Sequence, residues 1–344
     1  MAHGRLTLAA ARRTAPAVPS LVVVPLIALA LVTRFHTAFQ VTHDSWLVLL
    51  ALDGVLAFAL WGCPSASVGR SVAWGVAGGF ATLVSPVLGL CWALLSFAES
   101  VRIRRLRPLV VACVACVVVV TPWVVRNAIV FGRFIPVKSN LAYELYQSQL
   151  LCEDGRLVNK VFGSHPFATH GVERSECAAL GETAFLDRKR AAFDEAVRRD
   201  PSRFVAKVLD RLLAATVDYS PMSEDELERE TLSTICYLAH PLPILAAVGL
   251  VLVAPVRRLP GACWAGLGLL AVYLTPYVLV SYYERYEFPL WGLKTLVVVW
   301  WLDVLFALAS PASWRNRAAR HEEAAAAATL PQQPSPHPPL EVAR

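Results

Sequence analysis

Apolar runs close to the length of a bilayer crossing recur along this chain, at about 20–33, 46–62, 71–98, 108–125, 235–255, 261–281 and 288–309. A hydrocarbon core about 30 Å thick needs about 20 apolar residues of helix to cross it. In lipid, each backbone polar group has to be satisfied within its own segment, so helices are the economical solution. These runs predict an all-α fold, a polytopic transmembrane helix bundle of about six spans plus a re-entrant helix pair. The end of the fourth run, Thr121-Pro122-Trp123-Val124-Val125-Arg126-Asn127, reads as a helix leaving the bilayer. Tryptophan belongs at the headgroup level and charge just beyond it. Composition agrees: 17% of residues are charged, against about 25% in a soluble domain.

The first run follows Arg5, Arg12 and Arg13, as a signal peptide would. Pro25 and the want of a small-residue cleavage site mark it as a retained helix. The net charge of +6 suggests nucleic acid until its placement is considered. Arg102, Arg104, Arg105 and Arg107 occupy one short loop, Arg257 and Arg258 another, and Arg315, Arg317 and Arg320 follow the last run. Short arginine-rich loops beside helix ends mark the cytoplasmic side, so basicity here is a topology signal and no nucleic-acid partner is expected.

Parity then orders the chain. Residues 1–19 form a cytoplasmic N-terminus, 20–125 and 232–309 the membrane helices, 126–231 an exterior domain and 310–344 a cytoplasmic tail. The segment 71–98 has to begin and end on one side. Gly75, Gly78, Gly79 and the Ser85-Pro86 break divide it into two pieces that are each too short to span, hence the re-entrant pair. The tail is Ala-rich and then Pro-rich (Pro331, Pro334, Pro336, Pro338, Pro339), which predicts disorder. The Ala/Arg/Val-rich composition suits a GC-rich bacterium, which places both termini on the cytoplasmic side of a bacterial plasma (inner) membrane.

The exterior stretch carries 15 Lys+Arg against 17 Asp+Glu and is near neutral. Apolar residues at helical spacing over Glu176–Arg199 predict one amphipathic helix. Asp200-Pro201 reads as an N-cap and first helical residue for a second, to about Thr216. Their apolar stripes are expected to pack inward, making a small, mostly helical exterior domain. Cys113 and Cys116 have the spacing of a redox or zinc pair but fall mid-membrane, where small buried hydrophobes are expected. Cys152 and Cys177 lie outside, where a disulfide between them would persist.

No phosphate-binding glycine loop, metalloprotease helix, nucleophile elbow or paired zinc knuckle is present, and no metal ligand set or cofactor is evident. What remains is a set of polar residues at the exterior mouth of the bundle: Arg126, Asn127, Lys138, Ser139, Asn140, Tyr143 and Tyr146, then Tyr282-Tyr283-Glu284-Arg285-Tyr286-Glu287-Phe288-Pro289. Arg126, Lys138 and Arg285 are candidates to converge on a phosphate, arginine offering a planar fork and lysine a compact charge. Interfacial snorkelling and helix-end capping explain lone basic residues equally well.

Several elements, in order, resemble bacterial C-type membrane glycosyltransferases, relatives of the protein O-mannosyltransferases and the aminoarabinose transferase of lipid A. They are Trp123 to Asn127, Phe131-Gly132-Arg133-Phe134 with Pro136, Lys138, Ser139 and Asn140, the Gly75 to Pro86 stretch, Asp200-Pro-Ser-Arg203-Phe204, and Arg285-Tyr286-Glu-Phe-Pro289. Together they cover about 45–305. The resemblance implies sugar transfer from a polyprenyl-phosphate donor to a glycan, lipid or protein acceptor. Arg126, Asn127, Lys138, Asn140, Arg285 and Tyr286 would hold the donor's phosphate. In that family an acidic pair after the first helix acts as base. Here the corresponding stretch, Arg34 to Trp46, has only His43 and Asp44 as candidates. The chain thus resembles the middle and C-terminal part of the family, with the N-terminal catalytic module missing. Two other readings stay open: a non-catalytic membrane protein that binds a lipid-linked glycan or a partner subunit, and a transporter. The membrane runs are nearly free of charge, Asp53 and Asp303 excepted, and show no repeat, which ranks the transporter last.

Overall fold

The computed structural model describes residues 2–40, 43–61, 65–157, 161, 165–166, 172–219, 230–255 and 258–309. Among them the chain is helical throughout, with a single isolated bridge between Arg156 and Tyr282. The bundle comprises α1 (Ala2–Thr14), α2 (Ser20–Gln40), α3 (His43–Trp61), α4 (Val68–Val84), α5 (Pro86–Ile103) and α6 (Arg107–Phe131). The polar segment 126–231 folds as α7 (Leu141–Tyr146), which runs on into a π turn (Gln147–Leu151), then α8 (Val172–Leu180), α9 (Glu182–Arg199) and α10 (Pro201–Thr216). The chain returns through α11 (Glu230–Ala239) and α12 (Leu242–Val253), then α13 (Gly261–Leu279), a 3-10 segment (Glu284–Leu290) and α14 (Trp291–Ala309).

Five stretches are long and apolar enough to cross a membrane: Pro86–Ile103, Arg107–Phe131, Ser233–Val253, Gly261–Leu279 and Glu284–Ala309. Shorter apolar helices cover Ser20–Ala30 and Ser45–Phe58. The expected tail 310–344 lies outside the described residues. Residues 2–14, expected as part of the N-terminal segment, form a helix whose Ala10 and Ala11 enter the main apolar core, followed there by Ala15. Asp303 accepts the Ala17 amide at 2.7 Å and Thr14 accepts the Trp300 indole N–H at 2.8 Å, which ties α1 to α14.

The Ser85-Pro86 break is real: Ser85 is extended and Pro86 opens α5 in the first turn. The limbs are longer than 71–98 suggested, because α4 begins at Val68 and α5 runs to Ile103, where Arg104 closes it at φ 53°. The expectation that each piece is too short to cross therefore fails for α5.

Glycines make the hairpin close. Gly75 and Gly79, four residues apart on α4, face α6: a Cβ on Gly75 would collide with the Ala112 carbonyl, and one on Gly79 would lie 2.6 Å from Val119 Cβ. This is the small-residue contact that lets membrane helices approach without a hydrophobic driving force. On its other side α6 is exposed along Val110, Val114, Val117 and Val118, as a lipid-facing helix should be. Leucine at Gly79 is expected to lower the stability of the detergent-solubilised protein by about 1–3 kcal/mol through overpacking. Gly69 has open space around it, so Gly69→Leu is the control. Equal thermal midpoints for the two variants would show that the α4–α6 contact is not close-packed.

In the exterior segment, α9 packs on α7 through Phe185 and Tyr143, whose rings stack 5.9 Å apart. Lys189 is buried here, donating to Glu173 at 2.6 Å and Glu176 at 3.0 Å over the Tyr146 ring. Burial opposes its charge, but the two carboxylates outweigh it and hold its pKa above the usual lysine value. Asp200 caps α10 by accepting the Arg203 amide at 2.9 Å, with Pro201 at the first position.

The orientation of α10 departs from expectation. Its buried side carries Lys207, Arg211, Ala214 and Ala215, while Val205, Leu209, Leu212 and Leu213 are exposed. The apolar stripe was expected to pack inward. The cause lies in what α10 meets, namely ends of other helices whose carbonyls lack partners. Lys207 donates to the Gln149 carbonyl at 2.7 Å and to that of Cys152, and Arg211 donates to those of Val278 at 2.7 Å and Leu279 at 3.2 Å. Cations suit helix C-termini, where carbonyls are unpaired and the dipole is negative. The outward leucines then match a helix lying at a bilayer interface.

Candidate functional site

At the end of the bundle away from the arginine-rich loops, α13 stops at Pro276 to Val280 and the chain continues extended through Ser281 to Tyr283. Helix α7 is stitched to this exit, Ser148 donating to the Val280 carbonyl at 2.6 Å. That places Glu144 against Ser281. One carboxylate oxygen accepts from the Ser281 hydroxyl and the Gln147 amide, both at 2.7 Å, and the other from Asn140 at 3.2 Å.

A group of tyrosines lies on the same chain exit. Tyr286 stacks on Tyr277 with centroids 4.1 Å apart and meets Tyr283 edge-on at 5.4 Å. The Arg285 guanidinium lies 5.1 Å from the Tyr283 ring and 5.4 Å from that of Tyr286. The Tyr283 phenol is pushed up chiefly by burial, and it is within electrostatic reach of both Arg285 and Glu144. His165, edge-on to Tyr143 at 5.0 Å, senses the same two charges, while burial holds it below the usual histidine value. A carboxylate and a guanidinium, from segments more than 130 residues apart in sequence, thus both act on the Tyr283 phenol.

Beneath it lies a second polar cluster, inside the bundle. Glu287, on the 3-10 segment, accepts from the Tyr282 hydroxyl and from Lys294 of α14 at 2.6 Å. His240 Nδ1 is 3.6 Å from the same carboxylate and its Nε2 is 2.9 Å from the Ala214 carbonyl. All of these side chains are closed off from solvent or nearly so. Ionisable groups at such depth are expensive unless paired, and this pairing fixes the 3-10 segment that presents Arg285 and Tyr286.

The residues singled out in the sequence divide into two sets. Asn140, Arg285 and Tyr286 gather around Glu144. Arg126 and Asn127 serve the end of α6: Asn127 is buried and donates to the Ile135 carbonyl at 3.0 Å, and Arg126 donates to Asn127 at 2.9 Å while covering the Trp123 ring at 5.2 Å. Capping and snorkelling account for the contacts of both. Lys138 stands exposed on the following loop.

The stretch Arg34 to Trp46, expected as a loop, is helical to Gln40 and again from His43. His43 and Asp44 open α3, and Trp46 sits 4.8 Å from Phe288, so this helix start adjoins the 3-10 segment. The side chains of His43 and Asp44 lie outside the described residues. The Cys152–Cys177 disulfide is not formed. Both are free thiols in separate clusters, Cys152 with Leu157, Val161 and Tyr283, Cys177 against Tyr143, Phe185 and Leu186. Burial pushes the Cys152 thiol up to about 12, the mark of an inert sulfur. Among the described residues no group of three or more His, Cys, Asp or Glu is placed to hold a metal ion.

No family model, curated protein or solved structure matches this chain. Its chemistry has to be judged from its own residues. The central one, Glu144, is absent from the residues singled out by motif. A signal existed: Glu144 and Gln147 fall on one helical face beside Asn140, Tyr143 and Tyr146. The Glu287–Lys294 pair had none, because its seven-residue spacing crosses a change of helix type.

Proposed function

We propose that the site around Glu144, Arg285 and Tyr286 handles a sugar carried on a polyprenyl phosphate, and that the protein transfers this sugar to an acceptor on the exterior face of a bacterial plasma membrane. The observation that supports this most is a carboxylate, Glu144, and a guanidinium, Arg285, that both act on the Tyr283 phenol at one end of an apolar helical bundle. In such a transfer the bond between the sugar's anomeric carbon and the phosphate oxygen breaks, and the acceptor hydroxyl oxygen bonds to that carbon. Negative charge grows on the leaving lipid phosphate, where Arg285 supplies a bidentate cation. The acceptor's proton goes to Glu144. A carboxylate offers about four acceptor positions, and Ser281, Gln147 and Asn140 take three, which leaves one for the hydroxyl.

A non-catalytic reading, in which the site only holds a lipid-linked glycan, draws on the same three donors, since they already engage the Glu144 carboxylate. Reconstituted full-length protein with a radiolabelled polyprenyl-phosphate hexose separates the two. Arg285→Ala is expected to weaken donor binding by tenfold or more. Glu144→Gln is expected to leave binding intact and reduce sugar transfer by about 10²–10⁴. Unchanged binding in Arg285→Ala would remove the site from consideration. Intact binding with no transfer to glycan, lipid or peptide acceptors by the unaltered protein would establish the non-catalytic reading.

A further inference from the structure

The bundle also contains a cavity of about 790 Å³ between α1, α3, the α4–α5 hairpin, α13 and α14. Its walls are apolar, including Leu56, Trp74, Leu95, Leu269, Leu296 and Trp300, and it reaches from Gly261 at one end of α13 to Pro289 at the start of α14. The end near Gly261 is rimmed by Arg12, Arg13 and Arg102, with Glu99 beside them and Asp53 on the wall. Arg102 is committed to Glu99 through two hydrogen bonds of 2.7 and 2.9 Å. Arg12 uses only Nε, on Ser20 at 3.2 Å, and Arg13 is exposed. Two guanidinium groups therefore stand at the mouth of an apolar chamber, on the side that also carries Arg104, Arg105, Arg107 and Arg258.

Such a chamber is within the roughly 300–1,000 Å³ of ligand sites, but its chemistry excludes most soluble ligands. A free phosphate or nucleotide would leave the apolar wall unused, and a neutral hydrocarbon would leave the arginines unused. An amphiphile with an anionic head satisfies both, because apolar burial acts on the tail and charge-assisted hydrogen bonds on the phosphate. We propose that the cavity binds an anionic glycerophospholipid from the leaflet on the arginine-rich side, its phosphate at Arg12 and Arg13 and an acyl chain directed toward Pro289. This site is separate from the one around Glu144, and the inference does not rest on the transferase reading.

Native mass spectrometry of the full-length protein, delipidated in detergent and then titrated with phosphatidylglycerol or phosphatidylcholine, tests it. One phosphatidylglycerol is expected to be retained per chain. The double variant Arg12→Ala/Arg13→Ala should retain it at least tenfold less well, and Arg12→Lys/Arg13→Lys should restore part of the loss. Ala98→Trp, placed on the exposed cavity wall, should block the lipid without moving the thermal midpoint of the lipid-free protein. Inorganic phosphate at millimolar concentration should not compete. Equal retention of phosphatidylcholine, full retention by the double alanine variant or by Ala98→Trp, or no lipid bound to the unaltered protein would each overturn the proposal, as would displacement by inorganic phosphate.

Discussion

Lys294→Met is expected to destabilise the protein by about 3–5 kcal/mol, because it strands the Glu287 carboxylate inside the bundle. Glu287 is fully enclosed, and Lys294 is the ammonium that neutralises it at 2.6 Å. The Tyr282 hydroxyl and His240 remain, but a hydroxyl cannot supply a charge and His240 is 3.6 Å away. The double variant Glu287→Gln/Lys294→Met removes both charges and should recover most of the loss, since a paired buried charge contributes little net stability. Thermal unfolding of the purified protein in detergent, followed through tryptophan fluorescence, measures both. Equal losses in the single and double variants would mean that Lys294 acts through packing alone. The single variant should also loosen the 3-10 segment and weaken any ligand contact made by Arg285, so its stability and binding effects should appear together.

Arg211→Met is expected to cost about 2–4 kcal/mol, from two hydrogen bonds by a charged donor to carbonyls that then have no partner. Arg211 is wholly buried, and burial lowers its pKa to about 10. That penalty is offset by the end of α13, where the Val278 and Leu279 carbonyls would otherwise be orphaned. Loss of this cap should free α10 from the bundle while the membrane helices stay folded. Limited proteolysis is the suitable readout: cleavage within 200–219 should accelerate well ahead of global unfolding. Protection equal to that of the unaltered chain would show that Lys207 alone anchors the helix. Gly155 lies against this pair at φ +76°, and a Cβ there would come 2.9 Å from both Lys207 Cβ and an Arg211 Nη. The turn that brings the Gln149–Cys152 carbonyls to Lys207 thus depends on a residue without a side chain.

Much of the architecture is legible from hydropathy alone. The apolar helices, the break at Ser85-Pro86 and the Asp200-Pro201 start of α10 all follow from local chemistry: apolar length, ring constraint and capping. The errors share one cause. The inward side of α10 was misjudged because its neighbours are carbonyl-rich helix ends instead of an apolar wall, and no residue within α10 records what lies opposite. Likewise the Cys152–Cys177 pairing is not formed because the two thiols are packed in separate clusters, Cys152 beside Tyr283 and Cys177 beside Phe185, a placement their spacing does not record.

Sequence by itself determined that the chain is an all-α bundle of apolar helices, since lipid solvation acts on each segment separately. Several helix bounds shifted, as where the helix read over Glu176–Arg199 breaks at Gly181. Which polar residues meet was decided only in three dimensions. Glu144 meets Ser281 because the segment of α7 and its π turn docks on the end of α13, and Glu287 finds Lys294 across a change of helix type. Long-range pairing depends on the relative placement of whole helices, and that placement is set by packing between segments that carry no local trace of one another.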